Sequence, residues 1–139
     1  MASKLSDKPS EALIQALEDL IKCERSPKYE IDMDYWNESS GGVCSVCLGG
    51  SALVKTYKVP PGDGGEPWDV LCSLEALKVK AMDRAREGDW TAFLDYWPEC
   101  NRREFPIEKL PRITPYEESP NKFKRGIRKA ARIFKEHGL

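Results

Sequence analysis

The sequence predicts a mainly α-helical protein, a single domain over residues 1–139 built as a bundle of about five helices with one short extended segment or small hairpin. Three observations carry that expectation. Apolar residues recur at helical spacing in several stretches, glycine and proline clusters separate those stretches, and period-two alternation occurs in one short segment alone. A length of 139 residues suits one core. With 40% hydrophobic and 32% charged residues the chain has the balance of a foldable protein and not of a disordered one.

The first helix is expected from Ser10 to Glu24, where Leu13, Ile14, Leu17, Leu20 and Ile21 form one stripe and Asp7 or Ser10 can cap the start. Tyr29 to Trp36 alternates Tyr29, Ile31, Met33 and Tyr35 with Glu30, Asp32 and Asp34, the pattern of a half-buried extended segment. It has no evident strand partner. It is therefore expected to lie on the helices or to form one arm of a small hairpin. Asn37 to Gly42 reads as a polar turn. Cys44 to Lys58 reads as a second helix with a broad apolar surface, and Val59 to Pro67 as a loop rich in proline and glycine.

A third helix is expected from Pro67 or Trp68 to Glu87, presenting Val70, Leu71, Leu74, Leu77, Ala81 and Met82 and ending at Gly88. Asp89 then caps a short helix carrying Trp90, Phe93, Leu94 and Trp97, closed by Pro98. Residues 99–116 read as an irregular connection. The last helix, about Pro120 to His137 within a basic C-terminal segment over 118–139, has the clearest two-faced pattern. Phe123, Ile127, Ala130, Ala131 and Phe134 share one side; Lys124, Arg125, Arg128, Lys129, Arg132 and Lys135 share the other.

GGVCSVCLGG, Gly41 to Gly50, places Cys44 and Cys47 at the spacing of two zinc ligands. The remaining ligands would have to come from Cys23, Cys72, Cys100 or His137, none of which makes a second close pair. The favoured reading therefore has no cofactor: Cys47 is buried packing, Cys44 a helix-start residue, and Gly49 and Gly50 a surface for close approach. A zinc held by Cys44, Cys47, Cys72 and Cys100 is the alternative. A thioredoxin-like redox pair lacks the strand and helix alternation it needs.

The stretch containing Met33, Trp36, Cys47, Leu48, Gly50 and Ala52 resembles a pattern in uncharacterised phage and bacterial proteins: a Met and a Trp, a short polar turn, then cysteines followed by a small-residue helix. The resemblance spans Glu30 to Val54. It departs in having two residues between the cysteines and Gly49 in place of alanine. It implies a small helical protein encoded by a phage or mobile element.

Charge is polarised along the chain: residues 1–43 carry five Lys/Arg against nine Asp/Glu, residues 44–100 six against nine, and residues 101–139 eleven against five. A basic face for a partner follows as one expectation, with Lys124, Arg125, Arg128, Lys129 and Arg132 as its contacts. A charged face balanced by the acidic half is the plainer one. Catalysis has little support, because the single histidine, His137, stands two residues from the end of the sequence. The Gly62 to Gly65 loop lacks the Lys-Ser/Thr ending of a phosphate loop. Glu30, Asp32 and Asp34 read as a solvated face before a cation site, and the four tryptophans as core before a ligand cage.

The expected function is thus a non-catalytic accessory protein that binds a host or phage protein as inhibitor or adaptor. Two alternatives remain open: a nucleic-acid-binding regulatory domain with or without zinc, and a small-ligand sequestering protein that uses the tryptophans and the Gly62 loop. No apolar run approaches the roughly 18 residues of a membrane span, and the first residues lack a signal-peptide core. A cytoplasmic location, that of the host cell if phage-encoded, is the expectation, with no membrane partner.

Overall fold

The computed structural model describes residues 3–62, 65–97 and 105–139. Among them it is mainly helical, with six α-helices and one three-stranded sheet. Helix α1 (Pro9–Glu24) buries Leu13, Leu17 and Leu20 of the expected stripe together with Ala12 and Ala16, while Ile14 and Ile21 are half-buried against the same core. Its N-cap is Lys8, which makes no side-chain cap. The two expected caps are used elsewhere. The Asp7 carboxylate lies 2.6 Å from Lys78 Nζ, and Ser10 Oγ donates to the Leu139 carbonyl at 2.9 Å.

The sheet corrects the reading of residues 29–58. Strands β1 (Tyr29–Ile31), β2 (Glu38–Ser40) and β3 (Val43–Val46) lie in the order β1-β3-β2. β1 runs parallel to β3, and β2 runs antiparallel to it. The hairpin joins β2 to β3, with Gly41 and Gly42 at φ of +60° and +83° in its two-residue turn. Cys44 is therefore a strand residue, and the polar stretch read as a turn contains β2. A four-residue apolar run looks the same in a helix as in a central strand. What decides is a pairing partner, and β1 supplies it from more than ten residues away.

Register then sorts the side chains. Tyr29 and Ile31 pair with Cys44 and Val46, and these pack with Cys23 and Val54 as a small core. Glu30 and Glu38 both pair with Ser45, so the three stand in one row on the opposite face.

Helix α2 (Leu48–Lys55) is buried from Leu48 through Val54. A Cβ on Gly50 would sit 1.7 Å from the Trp36 carbonyl oxygen, and one on Gly49 would sit 2.5 Å from the Trp36 ring and 2.8 Å from the Val79 carbonyl. The glycines let the Trp36 backbone and the backbone at Val79 close on α2. That packing offsets their cost of about 1 kcal/mol each in helix propensity.

The expected third helix is two. α3 (Pro67–Val70) and α4 (Ser73–Ala85) are separated by extended backbone at Leu71 and Cys72, with ψ of 158° and 162°. The apolar pattern misleads here in a second way: Leu74 is 59% exposed and Lys78 is 3% exposed. Lys78 Nζ donates to the Leu5 carbonyl at 3.1 Å, to Asp7 at 2.6 Å and to Glu75 at 3.1 Å, so its burial leaves no proton unpartnered. Desolvation pulls its pKa down, but the bonds to Asp7 and Glu75 outweigh that and raise it. The ammonium stays charged.

Asp89 accepts from Ala92 N at 3.2 Å and opens α5 (Trp90–Tyr96). Pro98 and the connection as far as residue 104 lie outside the described residues. Beyond them a 3-10 turn (Ile107–Lys109) leads to α6 (Pro120–Glu136), capped by Ser119, whose Oγ accepts from Lys122 N at 3.2 Å. α6 buries Phe123, Ile127, Ala130, Ala131 and Phe134, the predicted set. Phe134 meets the rings of Trp90, Phe93 and Phe105 at centroid distances of 5.9, 5.5 and 4.9 Å. α6 packs antiparallel along α1: Lys124 Nζ reaches Glu24 at 2.7 Å at one end, and Leu139 meets Ser10 at the other. No helix among the described residues is long and apolar enough to cross a membrane.

Candidate functional site

Two chemistries present themselves, the thiols around the hairpin and the cationic side of α6. Around the hairpin each thiol has a structural partner. Cys44 Sγ donates to Asn37 Oδ1 at 2.9 Å, and Cys47 Sγ, at the N-cap of α2, accepts from Gly50 N at 3.3 Å. Burial pushes the Cys47 thiol up to about 12 and the Cys23 thiol up to about 11, which disfavours the thiolate needed for metal binding or attack. Cys72 is exposed at the start of α4, and Cys100 lies outside the described residues. Among the described residues no three His, Cys, Asp or Glu side chains group as a metal site.

The residue that organises this corner is Asn37, which the sequence reading leaves inside a turn. Its Oδ1 also accepts from Gly62 N at 2.7 Å, and its Nδ2 donates to the Pro60 carbonyl at 2.9 Å. Asn37 thereby ties the 60–62 loop to the hairpin. The Gly62 N–H that a bound anion would need is already taken, and residues 63 and 64 lie outside the described residues. The tryptophans are likewise occupied. Trp97 Nε1 donates to the Asp7 carbonyl at 2.8 Å and Trp90 Nε1 to the Pro111 carbonyl at 2.9 Å. Trp36 lies on the glycines of α2, and Trp68 is half-exposed with Lys80 Nζ 3.7 Å above its ring. His137 Nδ1 donates to the Ile133 carbonyl, 3.0 Å away, and its ring lies against Phe105.

The α6 face differs because its cations are free. Arg125, Arg128, Lys129, Arg132 and Lys135 are exposed and, among the described residues, none forms an ion pair. Lys124 stands apart from the rest of the predicted contact set. It is 16% exposed and held by Glu24, which also accepts from the Tyr116 hydroxyl. Its charge serves the α1–α6 seam.

A groove of about 570 Å³ runs between the start of α1 and the end of α6. Ile14, Ala131 and Leu139 contribute its apolar lining, and Lys8, Arg128, Arg132 and Lys135 surround it. Among the described residues Glu11 is its one acidic side chain, and that carboxylate accepts from Ser6 Oγ at 2.8 Å. Arg128 also borders a second recess of about 360 Å³ with Asn121, Lys124 and Arg125. Sequence periodicity indicates the cationic side. The groove is beyond its reach, because Lys8, Ser10, Glu11 and Ile14 of its lining come from the start of α1.

A third recess, of about 400 Å³, lies on the exposed sheet face and is lined by Glu30, Asp32, Tyr35, Glu38, Ser39, Ser40 and Ser45. No cation lines it. Asp34, expected on the same face, lies beyond β1, where its backbone N donates to Asp32 Oδ1 at 3.0 Å.

Comparison of the chain with protein families, with curated proteins and with solved structures finds no match in any of the three.

Proposed function

We propose that the protein is a non-catalytic binding module whose α6 face and adjoining groove hold an acidic surface of another protein, as an inhibitor or adaptor would. One observation carries this reading: four cations surround an apolar-lined groove in which, among the described residues, the one acidic side chain is engaged with Ser6. Such a lining suits a partner that brings carboxylates together with an apolar side chain. The chemistry for catalysis is weak by comparison. Burial holds the Cys23 and Cys47 thiols protonated, and the lone histidine is engaged with its own helix.

A phage or mobile-element origin and a host-cell partner belong to this same reading and rest on the Met33 to Ala52 resemblance. The second recess favours a nucleic-acid alternative, since it extends the line of cations along α6 as a phosphate track would require.

Immobilised protein incubated with bacterial lysate at low salt tests the reading against an R128E/R132E variant. The expected result is a retained protein that is eluted by about 0.5 M salt and is missing from the variant. Equal retention by the variant overturns the reading. A gel shift of labelled DNA or RNA by the unmodified protein, lost in the variant, transfers the face to nucleic acid.

A further inference from the structure

The geometry points to a second copy of this chain as an occupant of the basic groove, through the acidic sheet face at the far end of α1. The inference rests on the reading of that groove as a seat for an acidic protein surface and names one such surface. Two recesses of comparable size and opposite charge exist on one molecule. The groove presents Arg128, Arg132 and Lys135, while the sheet recess presents Glu30, Asp32 and Glu38. Among the described residues none of these six side chains has an ion-pair partner within its own chain. Each surface therefore keeps its charge available to another molecule.

Their placement explains why they do not neutralise one another. The groove is built on the first turns of α1, at Lys8 to Ile14, whereas β1 begins five residues after Glu24, where α1 ends. A 16-residue helix spans about 24 Å. At ordinary ionic strength, with a Debye length of about 8 Å, the two patches scarcely feel each other. Between molecules they can meet directly.

Register adds shape to the charge. Glu30 and Glu38 flank Ser45 across three adjacent strands, which sets the two carboxylates on a row about 10 Å wide. Tyr35 lines the same recess and is 43% exposed, an apolar side chain positioned among acids. In the next molecule the Ile14, Ala131 and Leu139 lining offers it an apolar seat between cations. Because the two surfaces differ, the contact is head-to-tail. Such a contact builds open chains, or rings where the rotation between successive copies closes.

Sedimentation velocity over a concentration series tests this, with wild type, R128E/R132E and E30K/E38K. At about 50 mM salt the wild-type mass is expected to rise with concentration past that of a dimer and to return to 15.8 kDa at about 500 mM. Each variant alone keeps one working surface and stays monomeric. Mixed in equal amounts, they restore the native contact between the groove of one and the sheet recess of the other and form complexes that contain both variants. A wild-type mass that stays monomeric across the series, or a mixture that yields no complex, overturns the proposal. The two readings separate in E30K/E38K, which loses self-association and keeps the lysate partner of the groove.

Discussion

Helices α2 and α6 are opposite solutions to the same problem. α2 is eight residues long, buried from Leu48 through Val54, and carries two glycines where backbone from Trp36 and α4 presses in. α6 is 17 residues long and buries a stripe of five, leaving a cationic side in solvent. The comparison teaches where function has room. α2 has almost no surface to offer a partner, so its cysteine and glycine motif is architecture, whereas on α6 the charges can change without touching the core.

The largest effect that would break this contrast belongs to α2. Gly50→Ala puts a methyl 1.7 Å from the Trp36 carbonyl oxygen, backbone that cannot swing aside. The expected loss is about 4 kcal/mol or more, read as a fall in Tm of about 10 °C or as failure to fold. A variant that melts with wild type would show that α2 and Trp36 are not packed this closely. Next comes the buried side of α6. Phe134→Ala empties a fully buried position among three aromatic rings and should cost about 3–5 kcal/mol in urea unfolding.

A smaller effect lies on the α1 side that meets α2. Asp19 is 5% exposed, accepts from Thr56 Oγ1 at the end of α2, and has its carboxyl pushed up to about 6, first by desolvation. The folded protein thus holds this proton more tightly than the unfolded chain, whose carboxyl titrates near 4. Stability from the protonated group is complete below pH 4 and is lost as pH rises through 6. At pH 7.5 the ionised form costs at most about 3 kcal/mol. Asp19→Asn should therefore raise Tm at pH 7.5 and leave it nearly unchanged at pH 4; an equal shift at both values would contradict the assignment.

The smallest stability effect is expected on the outer side of α6. R128E/R132E should change unfolding free energy by about 0.5 kcal/mol or less while abolishing capture of the partner. Circular dichroism melts beside the binding assay make that comparison. A large loss of stability would place those arginines with Lys124, in the service of the fold.

Much of the helical framework is legible in local pattern. α1 and α6 follow from apolar spacing and a proline in the first turn, and α5 from its spacing and its Asp89 cap, because their apolar positions repeat with the helix's own period. The Cys44 strand is not legible, since Val43 to Val46 acquires its identity from β1 and β2. Nor is the burial of Lys78, which depends on Leu5 and Asp7, about seventy residues distant. Leu74 and Lys78 exchange their expected places for that reason. The candidate site divides in the same manner: its cations are written on α6, but its apolar lining and its opening are not.

By itself the sequence determined the helical class, the buried stripe of α6 and the concentration of positive charge on its other side, all of which arise from neighbours within a few residues. Tertiary structure alone decided the three-stranded sheet, the structural roles of Cys44 and Asn37, and the separation of an acidic recess from a basic groove by the length of α1. Those depend on which distant backbones meet, and the energy of such meetings is not encoded in any single window of the chain.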